Sequence, residues 1–386
     1  MFRPALVALL LLLTLLPLPG SRAEGVPPER LAALSRGVNL SHWIWLPQAA
    51  DAQARARFIT PDELAALRRA GLTHVRLPFE PASIWDAERH EFRLDGLAEL
   101  RGAIQLCVDS GLAVIVDAHP TDSRSPWATL DEHGACNELE PFWTCLARNL
   151  AQTDPSRVFI EILNEPHGLR DKNHWPAAQR RLAELIRTQA PRHTIIATGD
   201  EWGSIEGLLR LAPLPDRNVV YSFHFYEPHN FTHQGATWGY APWRHMKGIP
   251  YPSTSAQLEP IAAGIADKDA AAAVRWYSKD PWDAARLTAM IGRAAEWSKS
   301  NGVPVYCGEF GVYAAFSPRD ARLAWLRDTS AALAASNFGW AMWDYTGGFA
   351  LAPGKPGERS LDTGVARSLG LDVAGDPPAG GRNPSP

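Results

Sequence analysis

Short apolar runs alternate with longer stretches of helical period along almost the whole chain. Eight of the runs read as strands: 37–41, 74–77, 113–118, 158–163, 194–198, 219–225, 303–308 and 338–343. β-Branched and aromatic residues fill them, and turn formers flank them. The segments between carry helix signals. Thr60-Pro61-Asp62-Glu63 offers an N-cap, a proline at the first helical position and a glutamate at the third. Ser317-Pro318-Arg319-Asp320 and Asp280-Pro281-Trp282-Asp283 follow the same logic. Gly71, Gly111 and Gly302 stand where a left-handed helix stop is wanted. In the helix after Asp95, the residues Leu97, Leu100, Ile104, Cys107 and Val108 share one face. Eight strands alternating with helices predict one α/β domain, a single (β/α)8 TIM barrel over residues 24–372. A doubly wound sheet is the alternative. It calls for a glycine-rich phosphate turn after the first strand, and none follows 37–41.

One connection breaks the rhythm. After the sixth strand, the stretch from Glu227 to about Lys279 is far longer than an ordinary loop between strand and helix. It carries Trp238, Tyr240, Trp243, Tyr251, Trp276 and Tyr277. Large residues in an insertion serve a small core of its own. They also suit the wall of a groove in which flat rings stack on sugars, and at least one of the six is expected to do so.

The ends differ from the body. Arg3, a leucine-rich run from Ala5 to Leu18 and the small-residue pattern Ser21-Arg22-Ala23 describe a secretory leader over residues 1–23. The apolar run is shorter than the roughly 20 residues a membrane span needs. A secreted or periplasmic protein is therefore expected, with no membrane contact after cleavage. Residues 373–386, rich in Pro and Gly, read as a disordered tail. Loss of Arg3 and Arg22 with the leader would take the net charge from −4 to −6. A mildly acidic chain without basic clusters speaks against nucleic acid and anionic membranes as partners. Of the four cysteines, Cys107 and Cys307 fall on apolar faces, whereas Cys136 and Cys145 are close enough in sequence for a bridge in an exported protein. No Cys/His spacing resembles a zinc site, and no metal or cofactor is expected.

Chemistry gathers where the strands end. V-F-I-E-I-L-N-E-P-H-G (158–168) closes on Asn164, Glu165 and Pro166, the proline unable to extend a ladder. V-P-V-Y-C-G-E-F-G (303–311) places Glu309 at the end of another core strand. Two glutamates on one barrel rim are what a retaining glycosidase needs. The other strand ends add Asn39 and His42, Arg76, Asp117 and His119, Asp200 to Trp202, His224 and Tyr226, and Trp343 and Asp344. Glu161 lies mid-strand and requires a partner if buried, and Arg76 is the obvious one.

With these pieces in place, the chain resembles glycoside hydrolase family 5, the cellulase family of retaining enzymes. The matching segments are R-G-V-N-L (36–40), T-H-V-R-L-P (73–78), V-D-A-H-P (116–120), L-N-E-P-H (163–167), H-F-Y (224–226), C-G-E-F-G (307–311) and A-M-W-D (341–344). The resemblance implies that Glu165 is the acid/base and Glu309 the nucleophile. It implies that Arg76, His119, Asn164, His224, Tyr226 and Trp343 bind substrate around them. In that reading Glu309 starts ionised, held by Arg76 and Tyr226, and Glu165 starts protonated with His224 tuning it. A monomer acting on β-linked polysaccharide, first of all as an endo-β-1,4-glucanase, is expected. A β-mannanase, a β-1,3- or mixed-linkage glucanase and an exopolysaccharide-processing hydrolase are alternatives within the class. A non-catalytic carbohydrate-binding protein and a metal-dependent hydrolase are the rivals outside it; the intact glutamate pair argues against the first, the lack of an H-x-H after the first strand against the second.

Overall fold

A computed structural model describes residues 25–47, 51–121, 135–167, 171 and 173–373, with side chains from 138 onward in the third of these segments. The expected leader and nearly all of the expected tail lie outside the described residues. The eight predicted strands all form. They are β1 (Arg36–Asn39), β2 (His74–Phe79), β3 (Ala113–Ala118), β4 (Val158–Glu161), β5 (Thr194–Thr198), β6 (Val219–Phe225), β7 (Val305–Phe310) and β8 (Gly339–Met342). Every neighbouring pair is parallel, and β1 closes on β8. The closed (β/α)8 barrel rules out the doubly wound sheet.

Eight helices pack outside: α1 (Pro61–Arg69), α2 (Leu94–Asp109), α3 (Ala135–Leu150), α4 (His174–Gln189), α5 (Ile205–Leu209), α6 (Ala284–Asn301), α7 (Arg319–Ala335) and α8 (Thr363–Ser368). Thr60 forms the reciprocal capping box with Glu63 that the sequence announces. Gly71, Gly111 and Gly302 all take positive φ at helix stops. Two starts were misplaced. The cap of α6 is Asp283 rather than Asp280, and α7 begins after Pro318 without a side-chain cap. Asp283 caps α6 through a hydrogen bond from Arg286 N at 2.9 Å. The Cys136–Cys145 bridge, which the sequence left open, does not form. Cys145 is a free thiol, and nine residues of α3 separate the two positions, about 13 Å of rise where a disulfide spans about half that. The side chain of Cys136 lies outside the described residues.

The barrel interior is layered. Its lower part is an apolar plug of Ala113, Ile115, Phe159, Ile196, Val220, Tyr306 and Ala341, capped by Leu34. Strand alternation then places the next inward positions, Arg76, Asp117 and Glu161, on top of the plug. All three are fully buried. A second and larger apolar shell fills the space between strands and helices.

The insertion after β6 folds as a helical cap whose buried residues, Phe231, Met246, Ile249, Leu258 and Val274 among them, continue the outer apolar shell instead of forming a core of their own. It contains short helices at His229–Thr232, Ser255–Gly264 and Lys268–Ser278. Gln234 ties it internally, its amide accepting from Ile249 N at 2.8 Å and donating to Ile249 O at 3.2 Å. Tyr251 and Tyr277 are buried in it, and the Tyr251 hydroxyl donates to Asp328 on α7.

Candidate active site

Arg76 is the hub. Its Nε and Nη2 bind both oxygens of Glu161 at 2.7 and 2.9 Å, which answers the need of that mid-strand carboxylate. Nη1 reaches Glu309 Oε1 at 2.7 Å and Asn39 Oδ1 at 2.9 Å. Nη2 also lies 2.9 Å from Asn164 Oδ1 and 2.9 Å from Asp117 Oδ2. One guanidinium thus faces three buried carboxyls. They hold its own pKa well above the ordinary arginine value against the effect of burial.

Glu309 is engaged at both oxygens, since the Tyr226 hydroxyl donates to Oε2 at 2.8 Å. Its inward orientation comes from an irregularity in pairing. Phe223 pairs with Cys307 and His224 with Glu309, which leaves Gly308 as an extra residue opposite none. Strict alternation from the inward Tyr306 would turn Glu309 outward; the bulge returns it to the mouth. Gly308 is required there. A Cβ would sit 2.7 Å from Ser222 Oγ and 3.0 Å from His224 Nε2. Gly311 meets a similar limit, as a side chain there would collide with the Trp343 carbonyl.

Glu165 follows β4 with φ of 43°, a strained value for a side-chain-bearing residue. His224 Nδ1 lies 2.8 Å from Glu165 Oε1 and 3.6 Å from Glu309 Oε2. One oxygen of each glutamate and the imidazole nitrogen all fall within 4.8 Å of one another. Desolvation in the cleft pushes the Glu165 carboxyl up to about 7, with Arg76 and His167 pulling the other way. Burial pushes His224 down to about 4, so it meets Glu165 as a neutral imidazole. His224 meets Glu165 through this one hydrogen bond, and burial is the largest cause of the upward shift. Three potential donors to a cation converge here, but the positive charge of Arg76 on Glu309 opposes a second cation at that spot.

Asn164 and His119 complete the inner ring, the Asn164 amide nitrogen lying 3.0 Å from His119 Nε2. His119 also stacks with Trp343, centroids 5.7 Å apart. Every predicted site residue therefore reaches one place. The cavity above them has a volume of about 940 Å³, and Glu165, Glu309, Asn164, His119, Tyr226 and Trp343 all line it.

Several lining residues were not legible in the sequence. Trp45, on the loop after β1, sits 4.2 Å from His119 and edge-on to Trp343 at 5.5 Å. His167, His233, Tyr313 and Phe349 also face the cavity. His167 closes the segment L-N-E-P-H, though no role was read for it; for the others the only signal was loop position beyond a rim strand, which many bystanders share. Trp202, noted at the fifth strand end, is 57% exposed and stacks on His167 at 4.9 Å. Of the six aromatics in the insertion, Trp238 lines the cavity, packed edge-on to Tyr313. Trp276 is more exposed, at 71%, and does not line it. Asp344 accepts from Ser41 at 2.6 Å, and Asp200 accepts from Arg210 at 2.5 Å.

Two carboxyls this close, at the C-terminal mouth of a closed parallel barrel and flanked by stacked aromatic rings, define the class as a glycoside hydrolase. Residues 35–348 match the profile of the cellulase family, and the chain belongs to it: Cellulase (glycosyl hydrolase family 5). Among curated relatives, Endoglucanase 3 of Fibrobacter succinogenes is 25% identical over 356 residues, covering 88% of this chain; the match spans 53% of that longer protein. Endoglucanase C of Acetivibrio thermocellus is 26% identical over 321 residues, 82% of this chain and 92% of its own. The solved endoglucanase Cel5A of Thermotoga maritima shares the fold, with a TM-score of 0.72, 24% identity and coverage of 88% of this chain and 98% of that one.

Proposed function

We propose that the protein is an exported endo-β-1,4-glucanase that cleaves with retention of anomeric configuration. The observation that carries this reading is the approach of Glu165 and Glu309 within 4.8 Å around one imidazole. Retaining enzymes hold their carboxyls about 5–5.5 Å apart, inverting ones about 6.5–9.5 Å. Glu309, gripped by Arg76 and Tyr226, is the nucleophile that attacks the anomeric carbon. Glu165 keeps its proton to neutral pH and gives it to the leaving oxygen. It then removes a proton from the water that releases the sugar. His224 orients Glu165, Asn164 bonds the sugar 2-hydroxyl, His119 orients Asn164, and Trp343 forms the floor under the cleaved unit.

Endo action is supported by a cleft with indoles on three separate loops, those of Trp45, Trp202 and Trp238. A β-1,4-glucan is supported by the names of the curated relatives. Export rests on the leader pattern of residues 1–23. Parallel assays on carboxymethylcellulose, mannan and laminarin test the substrate, and NMR of the first anomer released tests the stereochemistry. Viscosity falling ahead of reducing-end release on the cellulose derivative, with β-product first, is expected. Preferred release from mannan or laminarin replaces the glucanase with one of its sister activities. Binding of glucan without any turnover would instead make the chain a carbohydrate-binding protein.

A further inference from the structure

Asp117 belongs to none of the roles above, yet it closes a ring of three hydrogen bonds and one ion pair. It ends the inward face of β3 two positions before His119, so both side chains project to the same side. Asp117 is fully buried, and its Oδ1 has no partner among the described residues. Its Oδ2 lies 2.9 Å from Arg76 Nη2 and 2.8 Å from His119 Nδ1. Around the other side, Asn164 Oδ1 lies 2.9 Å from that same Nη2, and Asn164 Nδ2 lies 3.0 Å from His119 Nε2.

The direction of this ring is fixed because a guanidinium only donates. Arg76 donates to Asn164 Oδ1, so the amide presents its nitrogen to His119. His119 Nε2 must then accept, which leaves the proton of the neutral ring on Nδ1. That proton goes to Asp117 Oδ2, whose contact with Arg76 Nη2 is an ion pair, both N–H groups of Nη2 being given to Glu161 and Asn164. Burial keeps His119 neutral, as the assignment requires. The amide oxygen is turned to Arg76 and one N–H of Asn164 remains, so toward the cavity Asn164 offers a donor.

We propose that Asp117 is a positioning residue: by accepting from His119 Nδ1 it fixes the tautomer that holds the Asn164 amide with its nitrogen toward the sugar. The proposal rests on the glycosidase reading for its effect on rate, but its structural content stands apart from activity. What it assigns to Asp117 is the role of an acceptor, separable from that of a charge.

The test uses the full chain, 15N-labelled at histidine, with Asp117→Ala and Asp117→Asn. Wild-type His119 is expected to show a protonated Nδ1 and a bare Nε2 at neutral pH; an Nε2-protonated ring or an imidazolium there overturns the proposal without any variant. In Asp117→Ala, His119 is expected to show mixed tautomers, and kcat/KM to fall about ten- to a hundredfold, the usual scale for a supporting partner. Asp117→Asn can present a carboxamide oxygen at the same spot and is expected to retain the tautomer and most of the rate. An Asn variant as impaired as Ala assigns the role to charge and sinks the proposal. So does an Ala variant within threefold of wild type that keeps the wild-type tautomer. In an Asn164→Ala background, Asp117→Ala is expected to cost little more, and the full loss recurring there argues against action through Asn164. If wild type cleaves no glycan on the panel, the glycosidase reading fails while the 15N spectra still decide the ring.

Discussion

At the residue scale the site separates two glutamates by environment. Glu309 has donors on both oxygens, whereas Glu165 has one imidazole contact and a desolvated cleft. A general acid must be protonated to act, so kcat/KM is expected to decline as pH rises through about 7, where Glu165 titrates. The pH profile of the first-order rate at low substrate measures it; an unchanged rate to pH 9 contradicts the assignment. Glu165→Ala is expected to lower kcat on glucan by about 10²–10⁴-fold. It should spare glycosylation by dinitrophenyl glycosides, whose leaving group needs no proton. Burst kinetics with such a substrate separates the two steps. The pair was legible in L-N-E-P and C-G-E-F-G from side-chain type and strand-end position, whereas the division of roles between the two came from the family resemblance.

At the element scale, turns and register aim the side chains. Gly308 sits in the bulge that turns Glu309 into the mouth, tight against His224. Gly308→Ala is expected to displace His224 and lower kcat at least tenfold while the barrel still folds, which circular dichroism and steady-state kinetics together report. Beyond β5, Glu201 and Trp202 both hold positive φ, at 53° and 57°. Arg210 clamps this turn through Asp200 and Glu201. Strain of this kind costs about 1–3 kcal/mol per residue and persists where the surroundings impose it. Glu201→Gly is expected to raise the Tm and to weaken binding of long oligosaccharides, because Trp202 loses its fixed presentation. Calorimetry with titration of a cello-oligosaccharide reads both; a raised Tm with unaltered affinity removes the turn from function.

At the scale of the whole molecule, buried carboxyls link stability to pH. Glu165, Asp117 and Asp344 are each pushed up to about 7, first of all by burial. Between the ordinary carboxylate range and about 7, the native state holds protons that the unfolded chain has released. Each group therefore makes stability fall as pH rises through that window. Glu165→Gln cannot titrate and is expected to flatten this part of the Tm–pH curve and to raise the Tm at pH 7. An identical slope in variant and wild type would remove Glu165 from the balance. Trp238→Ala, on the insertion far along the chain from the glutamates, is expected to raise KM for polymer more than for a short aryl glycoside, since the ring meets only a longer chain in the cleft.

The amino-acid order alone determined the eight strands, the capping box at Thr60, the left-handed stops and the polar ring at the strand ends, because each depends on near neighbours and on the two-residue alternation of a strand. Arg76 with Glu161 was legible as well, since a buried mid-strand carboxylate demands a cation. Closure of the barrel decided the remainder. It set the bulge at Gly308 and the arrival of Trp45, His233, Tyr313 and Phe349 at one cleft. Those features depend on distances between segments remote in sequence, and such distances come into being only when the first strand meets the last.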